Sequence, residues 1–341
     1  MIPIRNIYHM LAYVFHLLKD GGYVRCATED FERVSDLLAE ILIRGISKEI
    51  KRGLQKGYSP ISECTGNIKG KINLSESINS LSHLNAAMVC EYDVFDENCY
   101  QNRILKTTVN ILLKNDIATN QKQQLRKLML YFSQVEELEP HHINWHLHFN
   151  RNNQNYQLLM YVCEMVIKGL LQTQDDGRMK LRNFINDERL HHLYEKFVLH
   201  YYQKEHPAIR ASSEQVPWAV TTLHGGVFLP TLQTDVILRH SQKTLIIDAK
   251  LYNQNTCSKY GGSAKLHTDN VNQIYVYVDN YRKLHPNEEV QGMLLYAKTD
   301  SIVQPYTYTS MFVVKTLDLN KDFDEISRQL DSIVLDYLLQ Q

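Results

Sequence analysis

Apolar residues recur at helical spacing near the start of the chain, at Ile7, Met10, Leu11, Val14, Phe15 and Leu18, and stop before Gly21-Gly22. A second amphipathic helix follows. It sets Leu37, Leu38, Ile41 and Leu42 on one face and Lys48, Lys51 and Arg52 near its C-terminus, where cations suit the helix dipole. From about Tyr58 to Asn73 the pattern turns extended around Gly66 and Gly70, as in a β-hairpin or small sheet, and Ala86 to Phe95 is a further strand. Helices are expected from about Asn98 to Lys114 and from Gln121 to Phe132.

The polar stretch Asn150-Arg151-Asn152-Asn153-Gln154-Asn155 predicts a boundary in mid-chain, giving domains at 1–150 and 151–341. Helical patterns resume near 156–172 and 188–204. The texture then switches to strands at Val227-Phe228-Leu229, Thr234 to Arg239 and Thr244 to Leu251. A helix from Thr268 to Leu284, a strand from Gly292 to Tyr296 and a helix from Phe323 to Leu339 close the chain. The expected fold class is α+β. A domain of mixed helices and a β-hairpin precedes a mixed sheet flanked by helices.

Bulk properties narrow the function. The 341 residues carry 37 Lys and Arg against 38 Asp and Glu, a net charge of −1. A protein that simply coats nucleic acid is basic overall, so any DNA contact must come from a local patch or a partner. The six cysteines, Cys26, Cys64, Cys90, Cys99, Cys163 and Cys257, form no C-x-x-C pair, which argues against a zinc ribbon or a disulfide framework. The first apolar run is broken by Arg5, His9 and His16 and lacks the basic start and cleavage site of a signal peptide, so a cytoplasmic protein without a membrane span is expected.

The informative segment runs from Gln233 to Lys250. Two β-rich runs flank the short turn His240-Ser241-Gln242-Lys243 and are expected to pair as an antiparallel hairpin. Asp248 and Lys250, two apart on the second strand, must share a face. Asp235, at the far end of the first strand, is brought opposite Asp248. Two carboxylates and an ammonium at the end of an apolar sheet need a partner. Two hard carboxylates, waters and a substrate phosphate suit Mg²⁺, which polarises a phosphate and lowers the pKa of a bound water. Lys250 can orient that water or offset developing charge. The bland alternative is a structural Asp–Lys pair at a sheet edge.

Glu195, on an amphipathic helix, adds a further carboxylate for the metal or is simply solvated. Gln273 and Tyr277 are spaced to share one face of the next helix. A second acid-x-Lys tripeptide, Glu49-Ile50-Lys51, lies in a helical pattern and reads as a solvated helix face. Arg239, Lys243, Lys259 and Lys265 make a candidate phosphate-contacting patch, unless they are merely solvated. His141, His142, His146 and His148 have no Cys or carboxylate at zinc-ligand spacing. Gly66-Asn-Ile-Lys-Gly-Lys-Ile72 is one residue short of a P-loop between its glycines, and Ile72 stands where a Mg²⁺-holding Ser or Thr is needed, so it is no nucleotide site.

Asp235, Asp248-Ala249-Lys250 and the Gln273/Tyr277 helix resemble the PD-(D/E)xK nuclease superfamily and its RecB-like branch. Thr234 stands where the superfamily's name has proline. Ile2-Pro-Ile-Arg-Asn-Ile-Tyr-His-Met-Leu-Ala-Tyr13, Gly66 to Ile72, Asn102-Arg103-Ile104-Leu105-Lys106 and Ile246 to Tyr252 are similar, in order, to the McrC family of McrBC 5-methylcytosine restriction systems.

The resemblance implies a Mg²⁺-dependent endonuclease subunit with Asp235, Asp248, Lys250, Gln273 and Tyr277 at its catalytic centre and Asp235, Asp248 and Glu195 around the metal. It further implies an N-terminal domain that docks on an McrB-like AAA+ ring, which carries the reader of modified cytosine, and stimulates its GTP hydrolysis; GTP is used by the partner, not by this chain. A hairpin at Gly66, Lys69, Gly70 and Lys71 is the expected ring contact, with solvated surface lysines as the alternative. Double-stranded DNA containing modified cytosine is the implied substrate, and the full assembly has room for a second copy of the chain. Two other function classes remain open: a non-catalytic activator of a ring NTPase, and a stand-alone structure-specific DNA nuclease.

Overall fold

A computed structural model of the chain describes residues 2–17, 31, 33–151, 153–171, 188–220, 229–251, 266–298, 306–308 and 311–339. They fall into two compact units, one of Met1–Phe31 with Arg182–Gln341 and one of Glu32–Leu181. This differs from the expected boundary at residue 150 in two ways, each with a physical reason. The first helix, α1 (Ile4–Val14), joins the C-terminal half of the chain. Its Asn6 side chain donates to the carbonyls of Leu319 and Lys321 at 2.7 and 2.8 Å, and the Tyr13 hydroxyl donates to Glu205 at 2.8 Å. The described residues of the polar stretch, 150–151 and 153–155, form a turn inside the other unit. Asn150 and Asn153 each accept the other's backbone N–H with a side-chain oxygen, at 3.2 and 2.6 Å, an arrangement that starts the following helix.

The unit of residues 32–181 packs helices beside a small sheet. Its elements are α2 (Val34–Arg52), β1 (Gly57–Thr65), β2 (Lys71–Ile72), α3 (Leu74–Asn79), β3 (Met88–Asp96), α4 (Tyr100–Lys114), α5 (Thr119–Met129) and α6 (Tyr156–Leu171). Asn102 on α4 is fully buried, and its amide donates to the carbonyls of Gln55 and Glu97, both at 2.9 Å. Its oxygen accepts from the Tyr156 hydroxyl at 2.9 Å, which ties α6 to α4. Four residues thus satisfy one another's polar groups around a buried amide.

Two expectations fail in this unit. Gly66 to Ile72 is not a hairpin, because β1 and β2 do not pair with each other. Both pair antiparallel with β3, in the order β1-β3-β2, so residues 66–70 carry the chain from one edge of β3 to the other. Gly70 sits at φ +60° against Glu91 and Tyr92, where any Cβ would collide with the Glu91 carbonyl. Glu49 is not on a solvated face either. It is 7% exposed, and burial raises its pKa against the pull of Arg52, whose guanidinium lies 3.4 Å away.

The other unit is built on a six-stranded sheet. After α7 (Glu188–Glu205) come β4 (Arg210–Ser212), β5 (Gln215–Val216), β6 (Leu232–Gln233), β7 (Val236–His240), β8 (Lys243–Lys250), α8 (Thr268–Leu284), β9 (Glu289–Ala297), β10 (Tyr306–Tyr308), β11 (Phe312–Leu317) and α9 (Phe323–Val334). The sheet order is β10-β11-β9-β8-β7-β4, with β8–β9 and β9–β11 parallel and the remaining pairs antiparallel. A central strand covered on both faces explains why β8 is buried from Thr244 to Lys250 and carries Leu245, Ile246 and Ile247 in succession. Ile237, Ile246 and Leu294 form one core with Ile274, Tyr277 and Val278 of α8. That helix sits so close to the sheet that a Cβ on Gly292 would press into Val278 and Ile274 at 2.7 and 2.8 Å. Leu245, Ile247, Met293 and Leu295 have the opposite parity and are equally buried. Helix α7 packs against β8, with the Tyr194 hydroxyl donating to the Leu295 carbonyl at 3.4 Å.

The mixed α+β architecture expected from the sequence is therefore present. Strands β10 and β11 were not expected. Val227 and Phe228 lie outside the described residues, and Leu229 is in no strand. The last expected helix is α-helical only to Val334, then continues as a π-helical turn over Leu335–Leu339. Among the described residues, no helix is long and apolar enough to cross a membrane.

Candidate active site

The hairpin of β7 and β8 forms as its sequence requires. His240 pairs with Lys243 across the turn, and Val236 pairs with Ile247 at the other end, so Asp235 arrives beside Asp248. The Ala249 N–H donates to Asp235 Oδ2 at 2.9 Å, fixing the first acid to the second strand. Lys250 Nζ donates to Asp248 Oδ1 at 2.9 Å, the pair being 6% and 0% exposed. Asp248 Oδ2 is buried and, among the described residues, receives no hydrogen bond.

Electrostatics make this end of the sheet unstable as two bare carboxylates. Burial, then the charges of Asp248 and Glu195, push the Asp235 pKa up to about 8, against the pull of Lys250 and the Ala249 amide. Burial raises Asp248 as well, with Lys250 opposing. A fully buried carboxylate and a partly buried one sharing one ammonium hold a proton or a cation. The donorless Oδ2 of Asp248 and the adjacent Asp235 offer hard oxygens to a divalent ion, and the chemistry of the donor set fits Mg²⁺.

Glu195 is held differently from the other acids. Its two oxygens are engaged by His191 Nε2 at 2.9 Å and His192 Nδ1 at 3.0 Å. Burial works to raise its pKa, but those histidines outweigh it and hold the carboxyl down at about 2. Among the described residues, no group of three or more His, Cys, Asp and Glu forms a ready metal cage. The expected trio of Asp235, Asp248 and Glu195 is thus two acids meeting on the hairpin and a third tied to histidines on α7, its charge felt by both. The histidines went unread in the sequence, although His191 and Glu195 are spaced to share a helix face.

Gln273 and Tyr277 do meet on α8, where Gln273 Nε2 donates to the Tyr277 hydroxyl at 2.7 Å. That hydroxyl donates in turn to the Gln233 carbonyl at 2.6 Å, two residues before Asp235. Thr234, between them, is pinned from the other side: its hydroxyl donates to the Glu214 carbonyl at 2.8 Å and its carbonyl accepts from Ser213 at 2.7 Å. The pair therefore fixes the backbone that presents the first acid.

Of the expected basic patch, the two described members, Arg239 and Lys243, lie away from these acids. Arg239 makes a two-pronged pair with Glu214, at 3.0 and 2.7 Å, and donates to the Tyr281 hydroxyl at 2.8 Å. It stands four strand residues from Asp235, roughly 13 Å along the strand. Lys243 lies at the hairpin turn, the opposite end from Asp248. Lys259 and Lys265 lie outside the described residues. Lys69 bridges to Glu63 at 3.5 Å and stacks over the Tyr92 ring at 5.2 Å, whereas Lys71 is exposed on β2. His141, His142, His146 and His148 are exposed and lie outside any strand.

Comparison with known proteins closes the case for the family. The family model described as "McrBC 5-methylcytosine restriction system component" matches residues 6–297. The chain is 27% identical to the type IV methyl-directed restriction enzyme EcoKMcrBC of Escherichia coli K12, over 99% of both chains. Among solved structures it is similar to a chain of the half-complex from the tetradecameric assembly of Thermococcus gammatolerans McrB AAA+ hexamers with bound McrC. That likeness has TM-score 0.48 and 16% identity, covering 97% of this chain and 76% of that one. A chain of the Thermococcus gammatolerans McrBC complex matches with TM-score 0.38 and 20% identity over 48% of this chain and 50% of that one. This chain belongs to the McrBC family of 5-methylcytosine restriction system components, as its sequence resemblance to McrC anticipated.

Proposed function

We propose that this chain is the Mg²⁺-dependent, PD-(D/E)xK-type endonuclease subunit of a modification-dependent restriction complex. It acts on DNA with modified cytosine while docked on an McrB-like AAA+ ring whose GTP hydrolysis it stimulates. The observation that carries the nuclease reading is the buried oxygen of Asp248 beside Asp235 that has no donor among the described residues, with Lys250 on the same carboxylate. A bound Mg²⁺ supplies Lewis acidity toward a phosphate and lowers the pKa of its water. Asp235 and Asp248 hold the cation. Lys250, fixed by its bond to Asp248, stands where an ammonium can orient the attacking water and offset charge developing on the phosphate. Tyr277 and Gln273 hold the Gln233 carbonyl, and with it the backbone that aims Asp235.

The division of labour rests on family membership and on charge. A chain with net charge −1 is not a general binder of DNA phosphates, so its grip on DNA must come from a local patch or be shared with a partner. The test is cleavage of methylated duplex DNA by the chain with its ring partner and GTP. Lys250→Ala is expected to lose cutting while still assembling and stimulating GTP turnover. Wild-type cutting by that variant would overturn the site, and loss of GTP stimulation with cutting intact would overturn the division of labour.

A further inference from the structure

The two histidines on Glu195 are not equivalent. His192 is about half exposed and, among the described residues, meets nothing further that bears on the site. His191 is mostly buried, and its second ring nitrogen, Nδ1, accepts the backbone N–H of Leu251 at 3.0 Å. Leu251 directly follows Lys250. A ring nitrogen that accepts carries no proton, so the neutral imidazole keeps its proton on Nε2 and donates it to Glu195 at 2.9 Å. A two-bond chain therefore runs from the backbone of the metal-site strand, through one imidazole in a fixed tautomer, to the third acid. An ordinary His–Glu pair along a helix needs only the second of those bonds. An ionised carboxylate offers about four acceptor sites, so the two imidazoles leave Glu195 capacity for a further ligand. Its charge reaches both hairpin acids.

We propose that His191 is a positioning residue: it locks the Glu195 carboxylate to the strand carrying Asp248 and Lys250, so that Glu195 completes the cation site. This rests on the reading of the hairpin acids as that site. Removal of a group that orients a metal ligand typically weakens metal binding about 10- to 100-fold.

The experiment is calorimetric titration of the full-length chain with Mn²⁺, an oxygen-seeking stand-in for Mg²⁺, so the readout does not depend on cutting. His191→Phe is expected to weaken binding at least tenfold, and Glu195→Gln by as much or more. The double variant should be no weaker than Glu195→Gln alone, because His191 acts through Glu195. His191→Gln, whose amide can both accept and donate, should recover most of the affinity. Should His191→Phe fail to fold, the same cycle run with His191→Asn serves, since its Oδ1 keeps the Leu251 bond and nothing reaches Glu195. Wild-type affinity without the His191 imidazole, or full additivity in the double variant, would overturn the proposal. If Asp248→Asn leaves Mn²⁺ binding unchanged, or the wild type binds none, the site reading itself falls and this inference with it. Dependence on Asp248 with indifference to His191 sinks the inference alone.

Discussion

Lys250 gives its ammonium hydrogen to one oxygen of Asp248, and among the described residues the other oxygen of the same buried carboxylate has no donor. Breaking a buried ion pair by removing one partner costs roughly 3–5 kcal/mol, because an uncompensated charge stays behind. Replacing both partners with neutral groups of similar shape removes that charge. Lys250→Met is therefore expected to lose cleavage and to lower the unfolding midpoint of the cation-free protein. The double variant Asp248→Asn/Lys250→Met should be more stable than Lys250→Met alone. Thermal unfolding in chelator checks this, and equal midpoints for the single and double variants would contradict a desolvated pair.

The pH dependence follows from Asp235. Its pKa rises from the ordinary 3.8 to about 8 in the fold. A raised folded pKa means that the native state binds the proton more tightly than the unfolded chain. That contribution is complete below about pH 4 and is lost as pH climbs toward 8. Cation-free protein should lose stability across this window, and Asp235→Asn should flatten the loss. Cation binding must displace the shared proton, so Mg²⁺ affinity should increase up to about pH 8. Unfolding midpoints with chelator and with Mg²⁺, measured across the window, test both slopes.

Much of this site was legible because strand alternation is strict. Once the His240–Lys243 turn is recognised, parity puts Asp248 and Lys250 together, and the register delivers Asp235. What escaped was long-range. Nothing near Arg239 in the sequence announces that Glu214 will claim its guanidinium, or that Asn6 will fasten α1 to Leu319. The polar run at 150–155 looks like a linker, yet Asn150 and Asn153 satisfy each other at a helix start. The apolar run Phe312 to Leu317 holds a strand pattern that went unread, and with it the parallel partner of β9.

Tyr277→Phe removes the hydroxyl that joins Gln273 to the Gln233 carbonyl. Losing a hydrogen bond to this part-buried carbonyl costs about 0.5–1.5 kcal/mol. The unfolding midpoint should fall accordingly. Because the lost bond anchors the backbone two residues before Asp235, cation affinity should weaken as well. Gln273→Ala leaves the Tyr277 bond to Gln233 in place and should be milder in both. Equal cation affinity in Tyr277→Phe and wild type would reduce the pair to ordinary packing.

Ser241 holds φ +54° at the hairpin turn, a conformation that favours glycine. Ser241→Gly relieves that strain, offset in part by the larger entropy of an unfolded glycine. A stabilisation of about 0.5–1 kcal/mol is expected, with cleavage unchanged, because the turn lies at the opposite end of the hairpin from the acids. A lower unfolding midpoint in the glycine variant would contradict it.

The segment from Gly66 to Ile72 separates shape from charge. Lys69 is held over Tyr92 and beside Glu63 on the surface, and Lys71 is exposed on β2. Surface side chains seldom change stability by more than about 0.5 kcal/mol, so Lys69→Ala/Lys71→Ala should unfold at nearly the wild-type midpoint. Stimulation of GTP turnover in the ring partner should nevertheless fall if these ammonium groups face bound nucleotide or acidic ring residues. Gly70→Ala acts through geometry instead. Its backbone already lies at φ +60°, and the new methyl would run into the Glu91 carbonyl, so β2 must leave its place on β3. That variant should lose stability in the 32–181 unit and lose stimulation together, while DNA-cleavage chemistry on the other unit keeps its cation affinity. Full GTP stimulation by the double lysine variant, with the complex still assembled, would remove this segment's charge from the mechanism and leave only its shape.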